Sequence, residues 1–161
     1  LSGYDAEKTA EYMRELSVDG KYSVDSDLYK KISDLFDAGY CDDNATKATI
    51  NEIFKKYNYL CDTHTAVAVN VYEEYTKRTG DDTPTVIAST ANPYKFSASV
   101  LSAITDDIKS EDEFSMVEEL FEKSKEPVPP QLATLKGKAP RFTRVSDKED
   151  MAQVVFDMLG I

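Results

Sequence analysis

Val86-Ile87-Ala88-Ser89-Thr90-Ala91-Asn92-Pro93-Tyr94-Lys95-Phe96 reads as a short apolar run that ends on two hydroxyls and passes into a proline-started segment. The β-type composition of residues 85–88 predicts a strand. Pro93 suits the first turn of a helix. Side-chain hydroxyls between such a strand and such a helix sit at the strand's carboxyl end, where open α/β sheets hold their ligands. The expected fold class is therefore α/β, mostly helical, with this one clear central strand. A lone strand cannot satisfy its own ladder of backbone donors and acceptors. Its neighbours are expected from another part of a longer protein, unless they have been lost.

Working outward, the flanking sequence is helical. Ala10, Met13 and Leu16 share a face, and Asp19-Gly20 is a turn signal. Asp25 or Ser26 can cap a helix carrying Leu28, Ile32, Leu35 and Phe36 and closing at Gly39. Asp42-Asp43-Asn44 opens another, with Ala48, Ile50, Ile53, Phe54 and Tyr57 inward and Lys55-Lys56 at its far end. Asp62-Thr63-His64-Thr65 starts a helix that is apolar almost all round at first and solvated later, and residues 79–84 are dense in turn formers.

After the central motif, helices are expected through Val100, Leu101 and Ile104, and over residues 110–121 with Phe114, Val117, Leu120 and Phe121 inward. Pro127-Val128-Pro129-Pro130 breaks the pattern. Beyond it come a short helical piece near Leu132, an extended stretch over 141–145, and a last helix from Ser146 to Leu159. That helix is introduced by the capping-box sequence Ser146-Asp147-Lys148-Glu149.

The chain has 161 residues, enough for one compact unit with a full core. Thirty acidic against 19 basic residues give a net charge of -11, which repels nucleic-acid backbones and anionic lipid surfaces. Cys41 and Cys61 lie outside any paired spacing, so neither a disulfide framework nor a zinc site is indicated and a cytoplasmic setting is expected. No apolar run approaches the roughly 20 residues of a membrane span. The start at Leu1-Ser2-Gly3 reads as the cut end of something longer, or as a processed or engineered start.

Three motifs stand in sequence order: Asp62-Thr63-His64-Thr65-Ala66-Val67, then Thr79-Gly80-Asp81, then Ser89-Thr90-Ala91-Asn92-Pro93-Tyr94-Lys95-Phe96. Together they resemble the carboxyl-terminal part of the threonine synthase family. There, Asp-Pro-His-Thr-Ala-Val opens a helix, Thr-Gly-Asp forms a turn and Ser-Thr-Ala-x-Pro-x-Lys-Phe ends a strand. The chain departs from the pattern at Thr63, where the family has proline, and at Asn92, which is often histidine or serine.

The resemblance implies a fold-type-II enzyme, similar to the tryptophan synthase β subunit, that uses pyridoxal 5'-phosphate. Such an enzyme converts O-phospho-L-homoserine and water to L-threonine and phosphate. The family places the lysine that holds the cofactor as a Schiff base, and the glycine-rich loop for its phosphate, upstream of the matched region. The chain is thus expected to be a carboxyl-terminal fragment with no catalytic lysine of its own, inactive alone and partnered by the missing amino-terminal part. Residues 1–126 would carry the helices and the cofactor-facing strand, and 127–161 a carboxyl-terminal extension.

By the same resemblance the Thr90 hydroxyl hydrogen-bonds the pyridine nitrogen of the cofactor, with Ser89 able to share the role. The alternative for either is a plain cap on the following helix. Asp62 and His64 stand at a helix start, as substrate contacts or as cap and loop-orienting residues. Lys95 is no covalent anchor; it is read as a contact to the substrate phosphate or as a surface lysine. No metal site is expected. Two other functions stay open: an acidic helical module that binds a protein partner, and another pyridoxal-phosphate lyase or dehydratase on the same scaffold.

Overall fold

The computed structural model describes all 161 residues, Leu1–Ile161. It is all-helical: α1 (Ala6–Asp19), α2 (Ser26–Ser33), α3 (Asp43–Tyr57), α4 (Thr63–Thr79), a 3-10 turn at Pro93–Phe96 leading into α5 (Ser97–Ile104), α6 (Glu113–Ser124), α7 (Pro130–Ala133), and a second 3-10 turn at Lys148–Asp150 before α8 (Met151–Leu159).

Local sequence explains where most helices begin and end. Asp5, Asp25, Asp42, Asp62 and Asp112 each cap a helix by accepting backbone N–H bonds of its first turn. Gly20 and Gly80 close α1 and α4 in the left-handed conformation, at φ 70° in both cases. Lys55 and Lys56 complement the dipole at the end of α3, as Lys77 and Arg78 do at the end of α4.

The core is small and central. Ile50 of α3, Leu60 and Cys61 before α4, Ala66 in α4, Tyr94 in the turn, Val100, Leu101 and Ala103 of α5, and Leu120 of α6 form one buried cluster. α3 packs against both α4 and α5, and α5 against α6. Asn51 of α3 donates from its side chain to the Ala103 carbonyl, tying the first pair of helices to the second. Glu119 accepts the Lys109 and Ser110 N–H groups and the Ser110 hydroxyl, which fixes the loop between α5 and α6. Neither α1 nor α8 buries a residue. No helix is long and apolar enough to cross a membrane.

The expected central strand is absent, and with it the α/β class: the structure contains no strand and no sheet. Residues 81–91 make no backbone-to-backbone hydrogen bond. The physical reason is that a strand is defined by its partners, and no segment of this chain comes alongside to supply them. Val86, expected to be buried, is 94% exposed. The extended stretch expected over 141–145 pairs with nothing either.

Smaller differences have similar causes. α2 stops at Ser33, so Leu35, Phe36 and Gly39 lie in the loop beyond it. On α6, Leu120 is buried and Val117 packs on the core, whereas Phe114 and Phe121 are exposed because no helix covers that side. The capping box at Ser146 does not form; a 3-10 turn takes its place and α8 has no side-chain cap.

Candidate functional site

The site grows from the start of α4. As N-cap, Asp62 turns its carboxylate back over the first turn. Oδ1 accepts the N–H of His64 at 2.8 Å and of Thr65 at 3.3 Å, and Oδ2 accepts the Thr65 hydroxyl. The residue has no exposed surface. Burial pushes its pKa up, but the Thr65 hydroxyl and the two N–H groups outweigh that and hold the carboxyl below its ordinary value of 3.8.

Thr65 carries the arrangement across to the central motif. Its Oγ1 lies 3.0 Å from the Oγ of Ser89, 24 positions along the chain. The neighbouring Thr90 is exposed and its hydroxyl makes no hydrogen bond within the chain. Asn92 then caps the 3-10 turn by accepting the Tyr94 N–H at 3.0 Å, and buried Tyr94 donates its hydroxyl to the Glu126 carbonyl. The two hydroxyls are thus held between two anchored helix starts, although no strand precedes them.

On the other side of Asp62, His64 places Nδ1 3.3 Å from Asp62 Oδ1, while its side chain is 60% exposed. Its ring packs at 5.0 Å on that of Phe96, tilted by 50°. Both line an open cleft of about 370 Å³ with Cys41, Thr46, Lys47 and Ser99. The structure therefore joins Asp62, His64, Thr65 and Ser89 in one polar chain, and Thr90 follows Ser89 in sequence without a bond to it.

Lys95 is exposed and pairs with no carboxylate. The Cys61 thiol, buried beside Asp62, is pushed up to about 11 by burial first and by the carboxylate second, so it stays protonated near neutral pH and packs as core. No group of three or more His, Cys, Asp or Glu side chains could hold a metal ion. Sequence reasoning missed the link from Thr65 to Ser89 and the part played by Phe96. Phe96 carried a signal in its place within the motif; the link depends on how α4 and the central motif are brought together.

Comparison with known proteins identifies relatives of the chain. The family described as "Threonine synthase, C-terminal" matches residues 65–155. Threonine synthase of Pseudomonas aeruginosa is 32% identical over 103 residues, which is 64% of this chain and 22% of that protein. Threonine synthase of Saccharomyces cerevisiae is 30% identical over 99 residues, 58% of this chain and 19% of that one. Human threonine synthase-like 1 is 27% identical over 104 residues, 65% of this chain and 14% of its own length.

Among solved structures, the PLP-bound threonine synthase from Brucella melitensis superposes with a TM-score of 0.55 at 24% identity, covering 77% of this chain and 30% of that one. That likeness is one of fold. The chain spans between 14% and 22% of the length of these curated relatives. Since the family match takes in more than half of its residues, the chain belongs to the threonine synthase carboxyl-terminal family.

Proposed function

We propose that this chain forms the hydroxyl-bearing wall of the cofactor pocket in a pyridoxal-phosphate-dependent threonine synthase, which makes L-threonine and phosphate from O-phospho-L-homoserine and water. The observation that carries this reading is the Thr90 hydroxyl, exposed and free of any partner, inside the stretch that matches the family.

The residues present fit one edge of the cofactor. A neutral hydroxyl can donate to a ring nitrogen without charging it. Five glycines at positive φ, Gly3, Gly20, Gly80, Gly137 and Gly160, are scattered as single turns and form no phosphate cradle. The lysine and the cradle then come from the remainder of the parent protein. When bound, the cofactor supplies the electron sink for chemistry at the substrate's amino-bearing carbon.

This chain's own residues bind and orient. Thr90 donates to the ring nitrogen. Ser89 is held beside it by Thr65. His64, half in solvent, and Lys95, an unpaired cation, are the groups available to an anionic substrate. Asp62 has no surface to offer a ligand and contributes through Thr65 and His64. Residues 1–126 carry this wall and 127–161 follow as a carboxyl-terminal extension.

The test uses the full-length protein. Phosphate release from O-phosphohomoserine is expected, and its failure would reject the assignment. Thr90→Val should weaken cofactor binding about tenfold, the worth of one neutral hydrogen bond in a water-poor site. Unchanged cofactor affinity together with an unchanged absorption spectrum would remove Thr90 from the pocket.

A further inference from the structure

In a chain of net charge -11, the outer ridge of α3 is basic. Lys47, Asn51 and Lys55 recur every four residues along it, with Lys56 beside them. These side chains, Ala48 and Glu52 face Ser102 and Ala103 of α5 across an open groove of about 610 Å³. None of the three lysines forms an ion pair within the chain, and Lys56 lies over the Tyr57 ring at 5.1 Å instead.

The converse holds on α1. Glu7, Glu11, Glu15 and Asp19 also recur every four residues, so the two helices carry opposite charge at the same repeat of about 6 Å. The bases of α1 are already engaged, Lys8 by Asp25 and Arg14 by Glu11. Val18 is exposed beside the acidic ridge, and α1 buries no residue. A basic groove with a small apolar floor and an acidic helix with no partner thus occur in one chain.

They do not meet within it. Thr49 and Asn51 are two positions apart on α3 and so point to nearly opposite sides. Thr49 accepts from Asn70 of α4 at 3.3 Å, whereas Asn51 donates to the Ala103 carbonyl of α5. The groove therefore lies on the side of α3 away from α4. α1 is held on the α4 side: Lys8 pairs with Asp25 at the start of α2, Tyr12 stacks on Tyr22 at 5.2 Å, and the loop after α2 rests on α4 through Asp37 and Arg78. To reach its own groove α1 would have to give up these contacts and pass around two helices.

We propose that the groove between α3 and α5 is a docking surface for α1 of a second copy of this chain. Arm and groove lie on different sides of the molecule, so the contact is heterologous: each copy gives its helix to one neighbour and receives that of another. Single exposed ion pairs are weak, which makes this a weak association that depends on several pairs acting together. The inference does not rest on the function proposed above.

Sedimentation of the full-length protein tests it, with two variants that each remove one side of the contact. Lys55→Glu with Lys56→Glu spoils the groove and keeps the helix; Glu7→Lys with Glu11→Lys spoils the helix and keeps the groove. All four side chains are exposed, so the fold is not at risk. The parent protein should self-associate at concentrations up to about 100 μM, the range of a weak contact. Half-molar salt, which shortens the screening length to roughly 4 Å, should reverse this. Each variant alone should associate at least about tenfold more weakly. Mixed in equal amounts, the two variants have one intact helix and one intact groove between them, and should form a one-to-one complex that grows no further. A parent protein that stays monomeric, a variant that associates as the parent does, or a mixture that stays monomeric would each overturn the proposal.

Discussion

At the scale of single residues, Asp62 joins stability to the site. Its carboxyl titrates below the ordinary value of 3.8 because hydrogen bonds to Thr65 and His64 outweigh its burial. A folded-state pKa depressed in this way contributes stability that is complete above the unfolded value and is lost as the pH falls through the folded one. Asp62→Asn keeps a competent N-cap but gives up the charge, so at neutral pH it should destabilise by about 1 to 3 kcal/mol. Its urea midpoint should converge with that of the parent in acid, below 3.8. Parallel curves across that range would show that Asp62 is not the titrating group. The caps themselves were legible: Asp25, Asp42 and Asp62 stand where the sequence placed them, because a cap is decided within one turn of helix. The bond from Thr65 to Ser89 was not legible. It spans 24 residues and depends on how α4 and the central motif are brought together.

At the scale of elements, the same division between local and partnered signals decides what the sequence could say. Helices α3 and α4 appear with the expected starts, since capping is a property of the segment itself, and Ile50, Ile53 and Phe54 of α3 face the core as expected, whereas Ala48 and Tyr57, also read as inward, are exposed because the neighbouring helices cover only part of that face. The segment at 85–88 reads as a strand on composition, and composition alone cannot make one. Its ladder needs a second chain segment, and none is present. The loop after α2 gives a sharper case. Gly39 was read as a helix terminator, but its position is set by α4: a Cβ there would lie 2.8 Å from Val71 Cγ1 and 3.3 Å from Cγ2. Valine is stiff at χ1, so it cannot simply swing aside. Gly39→Ala is therefore expected to destabilise by about 1 kcal/mol or more, and Val71→Ala to relieve that cost when the two are combined. Urea unfolding of the two single variants and the double variant measures the coupling; additive losses would mean the loop moves away from α4 at no cost.

At the scale of the whole molecule, the surface is out of proportion to the mass. The chain exposes 12425 Å², whereas a compact monomer of 18.0 kDa exposes about 8,000 Å². Only 17 of 161 residues are buried, and they concentrate between α3 and α6. Exposed Leu35, Phe36, Val86 and the apolar stripe Met151, Val155 and Met158 have nothing in the chain to cover them. Residues 83, 85–88 and 33–40 face one another with α4 across an open groove of about 790 Å³. If the remainder of a larger enzyme covers this side, the segment at 81–91 is open in the isolated chain and closed in the full-length protein. Thermolysin, which cuts before large apolar residues, is then expected to nick the isolated chain first before Val86 or Ile87, where no backbone bond resists opening. The two halves should stay associated after the cut, because α3 packs on both α4 and α5 and shares their buried cluster. In the full-length protein the same bond should survive under conditions that cut the isolated chain within minutes. Mass spectrometry of timed digests reads both outcomes, and equal cutting in the two forms would mean that the neighbours of this segment do not come from the parent enzyme.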